Sequence, residues 1–264
     1  MQILSWDKLG KREELLESPI ALSIGVFDGL HIGHQKLIEA VVKNRRGALP
    51  VVLTFTRNPA QVLGSRPFCG SILTMRQRIA RLEELGIACI VLIDFSLEFS
   101  KLSGKTYIRQ LQERFTILKV VAGYNFGFGR GRETDAGMLK TLLAGSGVEV
   151  EIVQPTFYLD RVVSSSRIRE EISRAGFAEA RLMLGRDYAL DLADGLAREE
   201  KGKRFAVSRS QINQVLPPSG RYAVKMKTDA GEVPGEASIE LDRVSWKNKG
   251  IAAVREMIFI AKKN

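Results

Sequence analysis

Both histidines of this 264-residue chain lie in one stretch, Gly25-Val26-Phe27-Asp28-Gly29-Leu30-His31-Ile32-Gly33-His34, directly after the apolar run 20–24. A zinc site would need a third and a fourth ligand, and no further histidine exists. Two imidazoles three residues apart can instead converge on one phosphate group. The rival reading is a pair of surface or capping residues. The glycines favour phosphate, because they let backbone approach a ligand closely. A helix starting near Gly33 or His34 would add free N–H groups and the positive end of its dipole.

The elements that must position this turn are legible as alternating apolar runs and helical patterns. Strands are expected over 20–25, 50–55, 88–93, 117–123 and 148–154, mostly as continuous apolar runs of the kind a parallel sheet buries on both faces. Helices are expected over 34–46, 74–85, 103–115 and 133–145, with Thr74 as an N-cap and Gly86 as a C-cap, followed by two more at about 165–175 and 177–184. This order predicts a doubly wound α/β domain, whose ligands bind at the carboxyl ends of the strands. Composition changes near Asp187, and a domain boundary is expected at about 186. Segment 196–204 reads as a charged linker, and the remainder reads as short strands, with 221–228 and 236–242 alternating like a half-exposed antiparallel sheet.

Composition bounds the function. Hydrophobic residues make up 45% and charged residues 27%, which indicates a globular chain rather than a disordered one. Forty Lys and Arg against 30 Asp and Glu give a net charge of +10, which suits a phosphate-rich partner, nucleic acid or nucleotide, or simply a basic surface. Neither an aromatic-studded basic strand nor a helix-turn-helix pattern is visible, so nucleic acid is not expected. No apolar run is long enough to span a membrane and no signal-peptide pattern is visible, so a cytoplasmic protein is expected. Cys69 and Cys89 are read as reduced thiols, and no resident metal site is expected. The oligomeric state is left open.

The pattern G-x-F-D-G-x-H-x-G-H resembles the signature of the HxGH nucleotidyltransferases, in the form found in the bacterial bifunctional riboflavin kinase/FAD synthetase family. Five further blocks follow in order: 51–63 (VVLTFTRNPAQVL), 73–107, 123–129 (GYNFGFG), 164–169 (SSSRIR) and 176–188 (GFAEARLMLGRDY). Together they cover roughly residues 1–188. The resemblance implies a Rossmann-like nucleotidyltransferase domain over 1–186 and a smaller β-rich, barrel-like domain over 187–264. It implies adenylyl transfer from ATP to FMN, giving FAD and pyrophosphate, with Mg²⁺ accompanying ATP. By the same resemblance His31 and His34 hold the α- and β-phosphates, Ser164, Ser165 and Ser166 supply hydroxyls at a helix start, and Arg167 or Arg169 binds the triphosphate. Gly25, Phe27, Gly29 and Gly33 form the nucleotide turn. Asp28 orders the loop, contacts the nucleotide or is a plain turn residue. Asn125 orients a nucleotide or flavin phosphate, and Phe126 and Phe128 pack on flavin or in the core.

Two departures stand out. Where the family reads T-F-x-P-H-P, this chain has Thr54-Phe55-Thr56-Arg57-Asn58-Pro59. Asn58, still a candidate cofactor-binding residue, can donate a hydrogen bond but cannot carry charge, while Arg57 restores a cation one residue away. Where the family's kinase half reads G-F-P-T-A-N, this chain has Arg204-Phe205-Ala206-Val207-Ser208-Arg209, with neither the Thr nor the Asn in register. Residues 187–264 are also short for that half, so a β framework without phosphoryl transfer is expected. The alternatives are a related nucleotidyltransferase with another phosphate acceptor and a catalytically silent flavin- or RNA-binding relative.

Overall fold

The computed structural model describes residues 1–10, 18–43, 47–64, 68–193, 197–200, 204–247 and 253–263. Contacts divide the chain into two units. The first comprises Met1–Phe27, Gly33–Phe68 and Arg78–Thr156, and the second comprises Asp28–Ile32, Cys69–Gln77 and Phe157–Asn264.

The first unit is built on strands β1 (Gln2–Ser5), β2 (Ile20–Ile24), β3 (Leu49–Phe55), β4 (Cys89–Ile93) and β5 (Ile117–Gly123), a two-residue pair β6 (Gly127–Phe128) and β7 (Thr134–Asp135), and β8 (Glu149–Val153). Six of them form one parallel sheet in the order β1-β4-β3-β2-β5-β8. The chain runs outward from β2 through β3 to β4, then returns to the other side of β2 as β5. This reversal makes the β2/β5 junction the switch point, where ligands of open α/β sheets bind beyond the carboxyl ends. The segments leaving those ends begin at Gly25 and Tyr124.

Helices α1 (Ile32–Lys43), α2 (Pro59–Leu63), α3 (Met75–Glu84), α4 (Gly104–Arg114) and α5 (Ala136–Leu143) connect the strands. Ile20, Leu22 and Ile24 share one core with Tyr107, Ile108 and Leu111 of α4 and Leu139 and Leu143 of α5. Ala21 and Ser23 point the other way and are equally buried, so both faces of β2 are covered. Thr74 caps α3 reciprocally with Gln77, each backbone N–H meeting the other's side chain at 3.2 Å. Gly86 ends that helix's exit at φ +88°. Residues 44–46 of the expected helix 34–46 lie outside the described residues. The helix expected over 133–145 is shorter, because Thr134 and Asp135 pair with β6 and Asp135 then caps α5 by accepting from Met138 N at 2.8 Å.

The second unit holds a hairpin, β9 (Phe157–Tyr158) with β10 (Arg161–Val162), then α6 (Ser165–Ser173) and α7 (Phe177–Leu184). Strands β11 (Ala189–Asp191), β12 (Arg198–Glu200), β13 (Arg204–Ser208), β14 (Gly220–Thr228), β15 (Gly231–Ile239), β16 (Arg243–Lys247) and β17 (Glu256–Lys263) form a seven-stranded antiparallel sheet. Its order is β11-β17-β14-β15-β16-β13-β12. The alternation read over 221–228 is realised, with Tyr222, Val224 and Met226 buried and Arg221, Lys225 and Lys227 exposed. Ile168, Ile172, Ala180 and Met183 of the two helices share the core of this sheet.

One sequence expectation changes here. Within the expected linker 196–204, residues 198–200 are an edge strand rich in charge, as edge strands commonly are; residues 196 and 201–203 lie outside the described residues. Residues 157–186 and the two segments 28–32 and 69–77 group with the antiparallel sheet, because their hydrogen bonds and apolar side chains are shared with it. The segment standing in place of the kinase motif is β13, paired on both sides, with the Phe205 ring stacked 6.2 Å from Trp246. Among the described residues no helix is long and apolar enough to cross a membrane.

Candidate active site

The turn after β2 is strained. Phe27 has φ +50°, Gly29 +83° and Leu30 +39°, so two of three left-handed residues are not glycine. Phe27 and Leu30 are buried, which holds them there. On the first-unit side, Arg78 donates from Nη1 to the Val26 carbonyl at 2.6 Å and to Thr54 Oγ1 at 3.0 Å. The Phe27 ring lies beneath Gly25, where an added Cβ would sit 3.1 Å from it. That ring meets the His34 ring edge-on at 5.4 Å. His34 and Gly33 stand in the first turn of α1, whose leading N–H groups have no intrahelical acceptor.

In the second unit the turn is tied at three places. Asp28 Oδ1 accepts from Ile72 N at 2.9 Å and Leu73 N at 3.2 Å, and Oδ2 accepts from Arg169 Nη2. Ser165 Oγ donates to the Asp28 carbonyl at 2.7 Å. Arg186 Nη2 donates to the Gly29 carbonyl at 2.7 Å. These bonds suit the loop-ordering role of Asp28, one of the readings the sequence leaves open. Arg169 also donates from Nε to the Gly70 carbonyl at 2.9 Å.

His31 is buried, and burial first, then the Arg186 charge, lowers its pKa from 6.5 to about 4. The imidazole is thus neutral at pH 7, with one N–H to donate to a phosphate oxygen. The unfolded chain takes up this proton near pH 6.5 and the folded chain only near 4, so stability falls as pH drops between those values. The loss attributable to His31 is expected to reach about 3 kcal/mol. Denaturant titrations from pH 7 to 4 check this: His31→Gln should flatten that part of the curve, and an unchanged slope would contradict it.

The remaining expected residues are placed as follows. Ser164 caps α6 by accepting from Arg167 N at 3.3 Å, and Ser166 is exposed. Arg167 is buried and donates from Nη1 to the carbonyls of Tyr158 at 2.8 Å and Arg161 at 3.0 Å, which ties α6 to the 157–162 hairpin. Asn58 caps α2, its Oδ1 accepting from Ala60 N at 3.0 Å, and Arg57 pairs with Asp94 at 3.0 Å. Asn125 is exposed in the turn after β5, and Arg132 donates to its carbonyl at 2.9 Å. Phe126 and Phe128 are half-buried with ring centroids 5.2 Å apart, and both pack against the sheet core. Within the second unit Asp28, Gly29, Ser165 and Arg169 come together. Within the first, Gly25, Phe27 and His34 do.

Sequence reasoning did not single out Arg78 or Arg186. Arg186 belongs to the L-G-R-x-Y block already noted, which was the available signal. Arg78 carries none, being one of several arginines on an amphipathic helix.

A family model described as FAD synthetase matches residues 14–167, more than half of the chain. A bifunctional riboflavin kinase/FMN adenylyltransferase of Bacillus subtilis (strain 168) is 29% identical over 230 residues, covering 84% of this chain and 71% of that protein. A protein named FAD synthetase from Listeria monocytogenes is 26% identical over 214 residues, covering 80% and 82%. Among solved structures, one described as a macrolide-efflux protein from Streptococcus pneumoniae matches over the whole of both chains with a TM-score of 0.81 at 23% identity, a likeness of fold alone. With its ordered turn, its two histidines and a family match that takes in five of the six strands of the parallel sheet, the chain belongs to the FAD synthetase family.

Proposed function

We propose that this chain is an FMN adenylyltransferase. A phosphate oxygen of FMN attacks the α-phosphorus of ATP, the bond from that phosphorus to the bridging oxygen breaks, and FAD and pyrophosphate leave. The observation that carries this reading is the buried, strained turn at the end of β2, which delivers both histidines to the start of α1 in a chain of this family.

The nucleophile is already an anion, so little proton transfer is needed. Catalysis then rests on positioning and on stabilising the charge that moves to the pyrophosphate. Neutral His31 donates a hydrogen bond to the triphosphate, and His34 does so from the first helical turn, beside the helix N-terminus. Ser166 adds a hydroxyl, and Arg169, anchored through Asp28, adds charge toward the pyrophosphate. Asn125 and the Phe126/Phe128 pair receive the flavin phosphate and ring. Mg²⁺ enters on the nucleotide.

Residues 1–186 carry the transfer, and 187–264 keep the barrel-like framework without phosphoryl transfer. ATP and FMN are small intracellular nucleotides, and the reading places the protein in the cytoplasm with no nucleic-acid partner. The test is chromatographic: incubation with ATP and FMN should yield FAD and pyrophosphate in equal amounts, while ATP and riboflavin should yield neither FMN nor FAD. No FAD from FMN would overturn the assignment. FMN appearing from riboflavin would overturn the loss of kinase function.

A further inference from the structure

The segment Gly70–Leu73 belongs by contacts to the antiparallel sheet, and two sets of bonds meet on it. On one side Ser71 N donates to the Asn213 carbonyl at 2.8 Å, and Val215 N donates to the Ser71 carbonyl at 2.9 Å, a parallel bridge between Ser71 and Gln214. Gly70 fits there because it has no Cβ: one would lie 2.6 Å from the backbone carbon of Gln214, and φ is +104°. On the other side the amides of Ile72 and Leu73 hold the Asp28 carboxylate, and the Gly70 carbonyl holds Arg169. The Ile72 side chain fills the space under Gly29, where an added Cβ would sit 3.0 Å from its Cδ1.

The buried side chain of Gln214 completes the connection. Its Nε2 donates to the Ile72 carbonyl at 3.0 Å, to the Ala189 carbonyl at 3.1 Å and to Gln77 Oε1 at 3.1 Å. Its Oε1 accepts from Asp191 N at 2.7 Å. Ile72 thus gives its carbonyl to Gln214 and its amide to Asp28. One residue stands between a buried glutamine of the segment leading into β14 and the carboxylate that orders the histidine turn.

We infer that Gln214 is a positioning residue for adenylyl transfer, acting through Ile72 and Asp28, and that residues 187–264 serve this chain as the scaffold of the turn rather than as a second enzyme. This rests on the FMN adenylyltransferase reading. It gives a physical reason for a sheet without a kinase motif to persist: its removal would free the loop on which Asp28 and Arg169 close.

The test compares Gln214→Glu with Met226→Ala in the full chain, both assayed well below their thermal midpoints. The glutamate keeps an acceptor for Asp191 N but sets an oxygen against the Ile72 carbonyl. Met226, on β14, is fully buried in the core of the antiparallel sheet and makes none of these bonds. For Gln214→Glu, kcat for FAD formation should fall about 10- to 100-fold, and amide exchange at Ile72 and Leu73 should accelerate by about tenfold or more. Combined with Asp28→Asn, the loss in kcat should not exceed that of the larger single variant, as for groups acting through one path. Met226→Ala should lower the thermal midpoint and leave kcat and both exchange rates unchanged. Gln214→Met removes the bonds without burying a charge and carries the same expectation if the glutamate variant does not fold. Exchange rates equal to those of Met226→Ala, or losses that add to those of Asp28→Asn, would overturn the inference. If the unaltered chain forms no FAD, the activity reading fails, and the exchange rates still decide the role of Gln214.

Discussion

His31→Ala and His34→Ala are each expected to lower kcat for FAD formation by about 100- to 1,000-fold, the usual cost of removing one preorganised donor from developing charge. Little change in the KM for FMN is expected, because neither histidine is assigned to the flavin. The effect should fall about equally on kcat and on kcat/KM for ATP if the bonds tighten as the bridging oxygen leaves. His31 is the more demanding case, because its imidazole is neutral and held in a buried turn. A lysine there would bring charge but not the ring's reach or its fixed N–H, so His31→Lys should not restore the rate. Steady-state kinetics with both substrates varied check these outcomes. A kcat within about twofold of the parent for both alanine variants would remove the histidines from the chemistry.

Asp28→Ala is expected to cost about 3–5 kcal/mol of stability, a value typical of breaking a buried ion pair from one side. Three donors lose their acceptor at once: the amides of Ile72 and Leu73 and the guanidinium of Arg169. Asp28→Asn keeps an oxygen for the two amides but turns an N–H₂ toward Arg169, so its cost should be smaller, about 1–3 kcal/mol. Urea titrations give both numbers. A cost below about 1 kcal/mol for Asp28→Ala, as for an exposed pair, would mean that the carboxylate does not order the turn.

The parts of this molecule that local chemistry specifies were legible in the sequence. The runs at 20–24, 49–55 and 117–123 are nearly continuous apolar segments, each broken once, by Ser23, Thr54 and Lys119, because both faces of those strands are largely covered. The glycine turn and the capping pair Thr74/Gln77 are likewise short-range. What could not be read was pairing across distance. Asp28 meets backbone amides 44 and 45 residues away, and an amide carries no side-chain signature. Arg167 and Arg169 stand two apart on α6, and two residues of separation turn them to different faces. Only the fold shows that the first faces the 157–162 hairpin and the second faces Asp28. Strand β1 escaped notice because it is four residues long and half exposed. Strand β12 did so because an edge strand tolerates the charges that otherwise mark a linker.

The account depends most on where the triphosphate sits. A crystal structure of the chain with FMN and a non-hydrolysable ATP analogue bridged by a methylene between the α- and β-phosphorus atoms measures that directly. The account predicts α- and β-phosphate oxygens within about 3 Å of ring nitrogens of both His31 and His34, with the FMN phosphate facing the α-phosphorus. A nucleotide bound elsewhere, with both rings turned away from any phosphate, would contradict it.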